Sequence, residues 1–357
     1  MQYPAHGANA DALYKALRIQ MPNKIIDLSE NVNPIGVPPS VQHAWPSLIS
    51  QIAAYPNEQA EPFRSKVAMF HNVKPEHIIV GNGAAECLMV LARYFNGEIV
   101  GLIEPSFSEY KRTLLQENVT IQSIVVEDIC TYTFSMEQVK AAMHTVDAVY
   151  LCNPNNPTGA LTTKMAIQSL LEYGQKVSCT LVVDEAFMDW TDEAESVIPL
   201  VEKYENLIVL RSMTKMYALA GIRLGYIVSQ KAFMFTGFFP HWNVSGIANQ
   251  VGCLCLEEDR YVVQARQSST QIREEMTNFL KDYACEVSNS AANFLLFKLP
   301  SSYSPDHFFK TLLSAGIVLR HTKNYVGLDG QWFRLAMKEP EKMKTFMKVF
   351  TDYVQNN

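Results

Sequence analysis

The sequence predicts an α/β protein with a large domain on a mainly parallel sheet and a small α+β domain. Three observations predict it. Short β-branched, apolar runs recur through the first two-thirds of the chain and alternate with helix-like stretches, as strand–helix–strand crossovers do. Several of these runs are apolar on both faces, as strands sandwiched between helices must be. The last third reads as a smaller set of strands and helices of its own, and 357 residues suit two domains better than one.

In chain order, the first 35 residues are rich in Asn, Pro and Gly and read as an arm, not a core element. Strands are predicted at 77–83, 98–105, 120–127, 147–154, 180–187, 206–212 and 221–229. Between them AAECLMVLARYF (84–95) follows a glycine turn. SMEQVKAAMHT (135–145) opens on Ser135 and Gln138, a capping-box pattern. TKMAIQSLLEYG (163–174) stops at a glycine. A helical bridge over roughly 245–285 leads to a strand at 291–299 and a helix at 304–316 with Ser304 as cap, Pro305 in its first turn and Gly316 at its end. Strands at 317–320 and 332–338 and a helix at 341–354 complete the chain. The expected division is an arm, 1–35, joining the small domain; a large domain, 36–245; and a small domain, 246–357.

Composition narrows the function. Apolar residues make up 48% and charged residues 18%, which excludes disorder, collagen and coiled coil. A net charge of −6 argues against nucleic acid as a partner, although a local pocket can be basic on an acidic protein. The seven cysteines are scattered without CxxC spacing, so free thiols in a reducing compartment are expected and no metal motif is evident. The N-terminus lacks an apolar segment behind a basic start, and no apolar run approaches the length of a membrane helix. The expectation is a soluble cytoplasmic protein that meets no membrane.

Three polar clusters stand at the carboxyl ends of predicted strands: Asn153–Gly159 (NPNNPTG), Asp184–Phe187 (DEAF) and Arg211–Lys215 (RSMTK). In open α/β sheets ligands bind outside those ends. Each cluster alone is also ordinary turn or cap chemistry; together they bring an amide, an acid and a lysine to one edge.

These motifs, with ALAGIRLGY (218–226), GNGAAE (81–86) and PSFSEY (105–110), resemble the fold-type I pyridoxal-phosphate enzymes of the class I/II aminotransferase group over nearly the whole chain. The resemblance implies the aspartate-aminotransferase-like fold and pyridoxal 5′-phosphate as cofactor. Lys215 would form the Schiff base with the cofactor aldehyde and move the proton, with its pKa lowered by Arg223 and the cofactor. Asp184 would pair with the ring nitrogen and keep it protonated. Asn156 would donate to the phenolic oxygen and Phe107 would stack on the ring. Gly83, Ala84 and Ala85 would offer backbone N–H groups to the phosphate, joined by Ser212, Thr214 and Arg223. Tyr55 would reach the phosphate of the other subunit, which implies a homodimer with shared sites. Phe187 departs from the tyrosine common at that position, so Asn156 would be left as the main donor to the phenolic oxygen.

Within the group, HGAN (6–9), DLSENVNPIG (27–36), DEAFMDW (184–190), HWNVSGIA (241–248) and LRHTKNYVGLDGQWFRLAMK (319–338) most resemble the L-threonine-O-3-phosphate decarboxylase branch of cobalamin biosynthesis. The resemblance implies that His6, Asn31 and Arg320 help hold a substrate phosphate and that Arg334 holds its carboxylate. The histidinol-phosphate aminotransferase branch is the alternative and needs the same two anion sites. A non-catalytic cofactor-binding regulator is the third reading; the intact Lys215, Asp184 and Arg223 speak against it. A nicotinamide-binding protein is disfavoured because GNGAAE lacks the third glycine of its fingerprint.

Overall fold

Strands form where branched apolar residues run without interruption, and the register of those strands decides what meets at their ends. A computed structural model describes residues 7–357. In chain order its strands are β1 (Ile26–Asp27), β2 (Ile78–Gly81), β3 (Ile99–Glu104), β4 (Thr120–Val125), β5 (Ala148–Cys152), β6 (Thr180–Asp184), β7 (Leu207–Ser212), β8 (Gly225–Val228), β9 (Glu286–Val287), β10 (Phe294–Lys298), β11 (Ile317–Val318), β12 (Arg320–His321) and β13 (Trp332–Ala336). Its α-helices are α1 (Ala10–Leu17), α2 (Pro39–Ala44), α3 (Phe63–His71), α4 (Ala84–Tyr94), α5 (Ser108–Gln116), α6 (Met136–Ala142), α7 (Lys164–Lys176), α8 (Gly246–Cys255), α9 (Asp259–Asp282), α10 (Pro305–Ser314) and α11 (Pro340–Gln355).

The large sheet has the order β2-β8-β7-β6-β5-β3-β4. Strands β3 to β7 run parallel, and β8 lies antiparallel to both β7 and β2. Every residue of β5 and β7 is buried, as the two-sided apolar pattern requires. The pairings Cys152↔Asp184 and Asp184↔Leu210 bring the ends of β5, β6 and β7 level. The three polar clusters that follow these strands therefore emerge side by side.

The second sheet, β12-β13-β10-β9, is antiparallel. Phe297, Phe308, Phe346 and Phe350 fill its core and are fully buried; each contributes roughly 1.5–3 kcal/mol by leaving water. Helix α9 spans both cores. Its Tyr261 and Ala265 pack with the large sheet's cluster, and Ile272, Met276 and Leu280 with the other.

The cap chemistry follows the sequence at several ends. Ser135 accepts from the Gln138 N–H at 3.2 Å and Ser304 from the His307 N–H at 3.3 Å. Four expectations change. Residues 10–17 join the small domain as expected, but as a core element and not an arm: α1 buries Leu13, Tyr14 and Leu17 in the second core, and β1 pairs with β11. Helix α7 runs two residues past Gly174, because that glycine serves close packing; a Cβ there would sit 2.8 Å from the Cys179 carbonyl oxygen. Helix α8, expected on the small-domain side of residue 245, buries Ala248, Val251 and Cys255 in the large core. The strand predicted from 221 starts only at Gly225, since 221–224 form the turn that carries Arg223.

Candidate active site

A cavity of about 290 Å³ opens where β5, β6 and β7 end. It gathers Ala84, Ala85, Phe107, Asn156, Asp184, Phe187, Ser212, Thr214, Lys215, Arg223, Asn31, Arg320 and Arg334. These residues come from well-separated stretches of sequence; the level ends of β5, β6 and β7 bring Asn156, Asp184 and the Ser212–Lys215 group together, and the second sheet brings Arg320 and Arg334.

Lys215 follows β7. Loss of hydration, reinforced by the Arg334 and Arg223 charges and opposed by Asp184 and Glu30, lowers its pKa from 10.5 to about 8. Its Nζ lies 5.8 Å from the Phe187 ring centre. An amine with that pKa can hold or release a proton near neutrality. Asp184 ends β6 and is buried. Burial raises its carboxyl pKa, while Tyr110, the Ala186 N–H and the Lys215 charge pull it back. Its Oδ2 accepts from the Tyr110 hydroxyl at 2.6 Å and its Oδ1 from the Ala186 N–H at 2.9 Å.

The anion cradle is built from a helix start and a turn. Ala84 and Ala85 open α4, where backbone N–H groups lack partners within the helix. The Ser212 and Thr214 hydroxyls lie 2.8 Å apart. Arg223 sits at φ +62°, and its Nη1 donates to the Ala220 carbonyl at 3.1 Å. Gly83 must be glycine: it has φ +80°, and a Cβ would lie 2.6 Å from Arg223 Nη2. Its own N–H donates to the Gly81 carbonyl at 2.8 Å. The Gly83 N–H is thus taken, which leaves those of Ala84 and Ala85 as the candidate donors, and Gly83 shapes the approach to them.

On the opposite wall, Arg320 and Arg334 are direct partners across β12 and β13. Both are buried. Arg334 Nη1 donates to Asn156 Oδ1 at 2.6 Å and Nη2 to the Ser29 carbonyl at 2.5 Å. Its buried Nε has no hydrogen-bond partner among the described residues, and neither has Asn31 Oδ1. With Oδ1 taken by Arg334, the Asn156 amide presents its NH₂ as donor. Arg320 Nη2 donates to Asn324 Oδ1 at 2.8 Å, and the guanidinium lies 5.1 Å from the Tyr325 ring centre.

Besides Gly83, two expected site residues are not among those lining the cavity. His6 lies outside the described residues. Tyr55 is 83% exposed and its ring lies tilted against that of Trp242 at 4.9 Å; it does not line this chain's cavity. Sequence reasoning missed Tyr110, Tyr325 and Glu30, which also line it. Tyr110 was within reach, three residues past Phe107 on a helix.

The cavity fits a flat, phosphorylated heterocycle with an aldehyde. It offers one amine able to be neutral, one buried carboxylate, one orienting amide and, some way off, hydroxyl, backbone and guanidinium donors for a phosphate. The glycine at 83 leaves that cradle open.

The class I and II aminotransferase profile matches residues 23–350. The threonine-phosphate decarboxylase of Salmonella typhimurium is 30% identical over 345 residues, covering 94% of this chain and 92% of that one. The histidinol-phosphate aminotransferase of Halalkalibacterium halodurans is 29% identical over 328 residues, covering 89% and 86%. Among solved structures, the histidinol-phosphate aminotransferase from Clostridium acetobutylicum superposes with a TM-score of 0.87 at 26% identity, covering 92% of this chain and 99% of that one.

Proposed function

The chain belongs to the class I and II aminotransferase family, a family of pyridoxal-phosphate enzymes, and on that premise we propose that it decarboxylates L-threonine O-3-phosphate to aminopropanol phosphate. One observation carries the choice. Arg320 and Arg334 are paired across adjacent strands, so their backbones lie only about 5 Å apart. Two arginines so close suit a short substrate with a carboxylate on one carbon and a phosphate on the next. Histidinol phosphate carries no carboxylate, which leaves Arg334 idle in one half-reaction of the aminotransferase.

Lys215 would hold the cofactor aldehyde, Asp184 the ring nitrogen, Asn156 the phenolic oxygen and Phe107 a ring face; Ala84, Ala85, Ser212, Thr214 and Arg223 would hold the phosphate. When bound, the cofactor supplies an electron sink for the pair freed at the substrate α-carbon. This chain's residues decide which bond frees that pair. Arg334 grips the carboxylate and Arg320, with Asn31, the phosphate, so two anchors fix the substrate's rotation. The bond from the α-carbon to the carboxylate is the one this hold would favour for breaking, with carbon dioxide as the leaving group; Lys215 Nζ, freed from the aldehyde once the substrate amine replaces it there, would be the group placed to return a proton to the α-carbon.

The chain works as a homodimer with shared sites. Trp45, Ile49, Ile52, Tyr55 and Trp242 are all large, apolar and 46–83% exposed, an unusual cluster for a lone chain in water. Tyr55, within that cluster, supports the reading that it serves the neighbouring subunit. Mixing Tyr55→Ala with Lys215→Ala subunits should regenerate some activity, because one site of each hybrid then holds both wild-type groups; a mixture as dead as its parents would overturn the shared site.

The substrate test is carbon dioxide release from L-threonine O-3-phosphate with no keto acid present. Turnover that requires histidinol phosphate and 2-oxoglutarate would establish the aminotransferase instead. Binding of either without turnover would favour a regulator.

A further inference from the structure

We propose that Tyr110 is a positioning residue that holds Asp184 as an oriented, ionised partner for the cofactor's ring nitrogen, and so sets how strongly the site distinguishes that nitrogen. The inference rests on the cofactor reading above and extends it to a residue that reading does not use.

The geometry is specific. Asp184 is buried at the end of β6, and each of its oxygens has one protein donor: Tyr110 at 2.6 Å on Oδ2 and the Ala186 N–H at 2.9 Å on Oδ1. An ionised carboxylate offers about four acceptor positions, so capacity remains for a further donor. Burial works against the ionised form. Of the two donors that oppose burial, the Ala186 N–H belongs to the local turn, two residues on. Tyr110 comes from a different element, 74 residues away in sequence. It is the part that tertiary structure adds.

Tyr110 is also well held. It is 1% exposed, its ring meets those of Phe107 and Tyr150 edge-on at 5.7 Å each, and its N–H donates to the Phe107 carbonyl at 3.1 Å. Phe107, the residue assigned to stack on the cofactor ring, precedes α5, and Tyr110 lies in its first turn. One short segment thus carries both a group for the ring's face and the brace on the acid for its edge. Moving that segment moves both.

Tyr110→Phe deletes one oxygen and keeps the packing. The measurement is equilibrium binding to cofactor-stripped protein of two probes: pyridoxal 5′-phosphate and its analogue with a C–H in place of the ring nitrogen. The wild type is expected to prefer the natural cofactor. Tyr110→Phe should cut that preference by at least about tenfold, the usual worth of a hydrogen bond to a charged group, while affinity for the analogue stays nearly unchanged. In an Asp184→Asn background the same change should leave the preference where it is. Because the preference is a ratio within one protein, general packing damage cancels; Tyr110→Leu, a harsher change, should lower it equally. Parallel loss of both affinities, or an unaltered ratio, would overturn the proposal and leave Tyr110 a packing residue. A wild type that binds both probes equally would also overturn it, because Asp184 would not read the nitrogen. A wild type that binds neither probe would instead remove the cofactor assignment, and this inference with it.

Discussion

Lys215 costs the empty protein stability, and Lys215→Met should return some of it. In the fold its pKa falls from 10.5 to about 8, with loss of hydration the largest cause and the charges of Arg334 and Arg223 next. At about 1.36 kcal/mol per tenfold change, that difference sets a ceiling of roughly 3 kcal/mol. Residual water around the half-buried amine, and the contacts of its own methylenes, reduce the expected gain to ~1–2 kcal/mol. The sign depends on pH. Below pH 8 the folded and unfolded chains both hold the proton, and the whole penalty is present. Between about 8 and 10.5 the unfolded chain binds more protons than the folded one, so stability rises with pH. Above that window the penalty is gone. Urea unfolding of cofactor-free wild type and Lys215→Met should therefore show the variant ahead at pH 7 and the gap closing near pH 10.5. A variant less stable at pH 7, or a gap independent of pH, would refute the reasoning.

Arg334→Gln should cut kcat/KM by roughly 30- to 4,000-fold, as expected for loss of a buried charged contact, with a much smaller effect on cofactor retention in dialysis. Arg223→Ala should do the reverse. Arg211 Nε bonds Glu185 at 3.0 Å and Nη1 bonds Asp189 at 3.0 Å, and Nη2 pairs with Glu193; Arg211→Met strands the fully buried Glu185 and should cost about 3–5 kcal/mol in chemical denaturation. Phe187→Tyr offers a hydroxyl beside Lys215, and the pH midpoint of the bound cofactor's absorbance change should fall in a spectrophotometric titration; an unmoved midpoint would mean the new hydroxyl reaches nothing.

The site was legible where its chemistry sits in contiguous strings. NPNNPTG, DEAF and SMTK stand at strand ends, and strand ends of a parallel sheet converge by topology alone. Arg320 and Arg334 could be named singly, but their pairing is a matter of register between two strands, which no local pattern encodes. Tyr110 was passed over because its partner is 74 residues away. In the first 35 residues composition and periodicity point different ways. Leu13, Tyr14 and Leu17 form a helical stripe, and that stripe was the stronger signal. At Gly174 a local rule failed because a tertiary contact with Cys179 outweighs the glycine's tendency to end a helix.

The perturbed groups of the cavity share one direction of strain. Burial raises the acid Asp184 and lowers the bases Lys215 and Arg334, so each charged form is held at a cost. Arg334 Nε and Asn31 Oδ1 add buried polar atoms without partners among the described residues. Packing alone would not retain such an arrangement, since replacement of buried charges by apolar groups commonly stabilises a fold. A ligand with negative charge facing the arginines and the lysine, and a protonated ring nitrogen facing Asp184, would relieve the charged groups and Arg334 Nε together; Asn31 Oδ1, an acceptor, would need a donor from the ligand. The acidic total of the chain, −6, conceals this. Its carboxylates sit largely at the surface, while Lys215, Arg223, Arg320 and Arg334 line one cavity. The strain stored there is interaction energy that the fold withholds until the anions arrive.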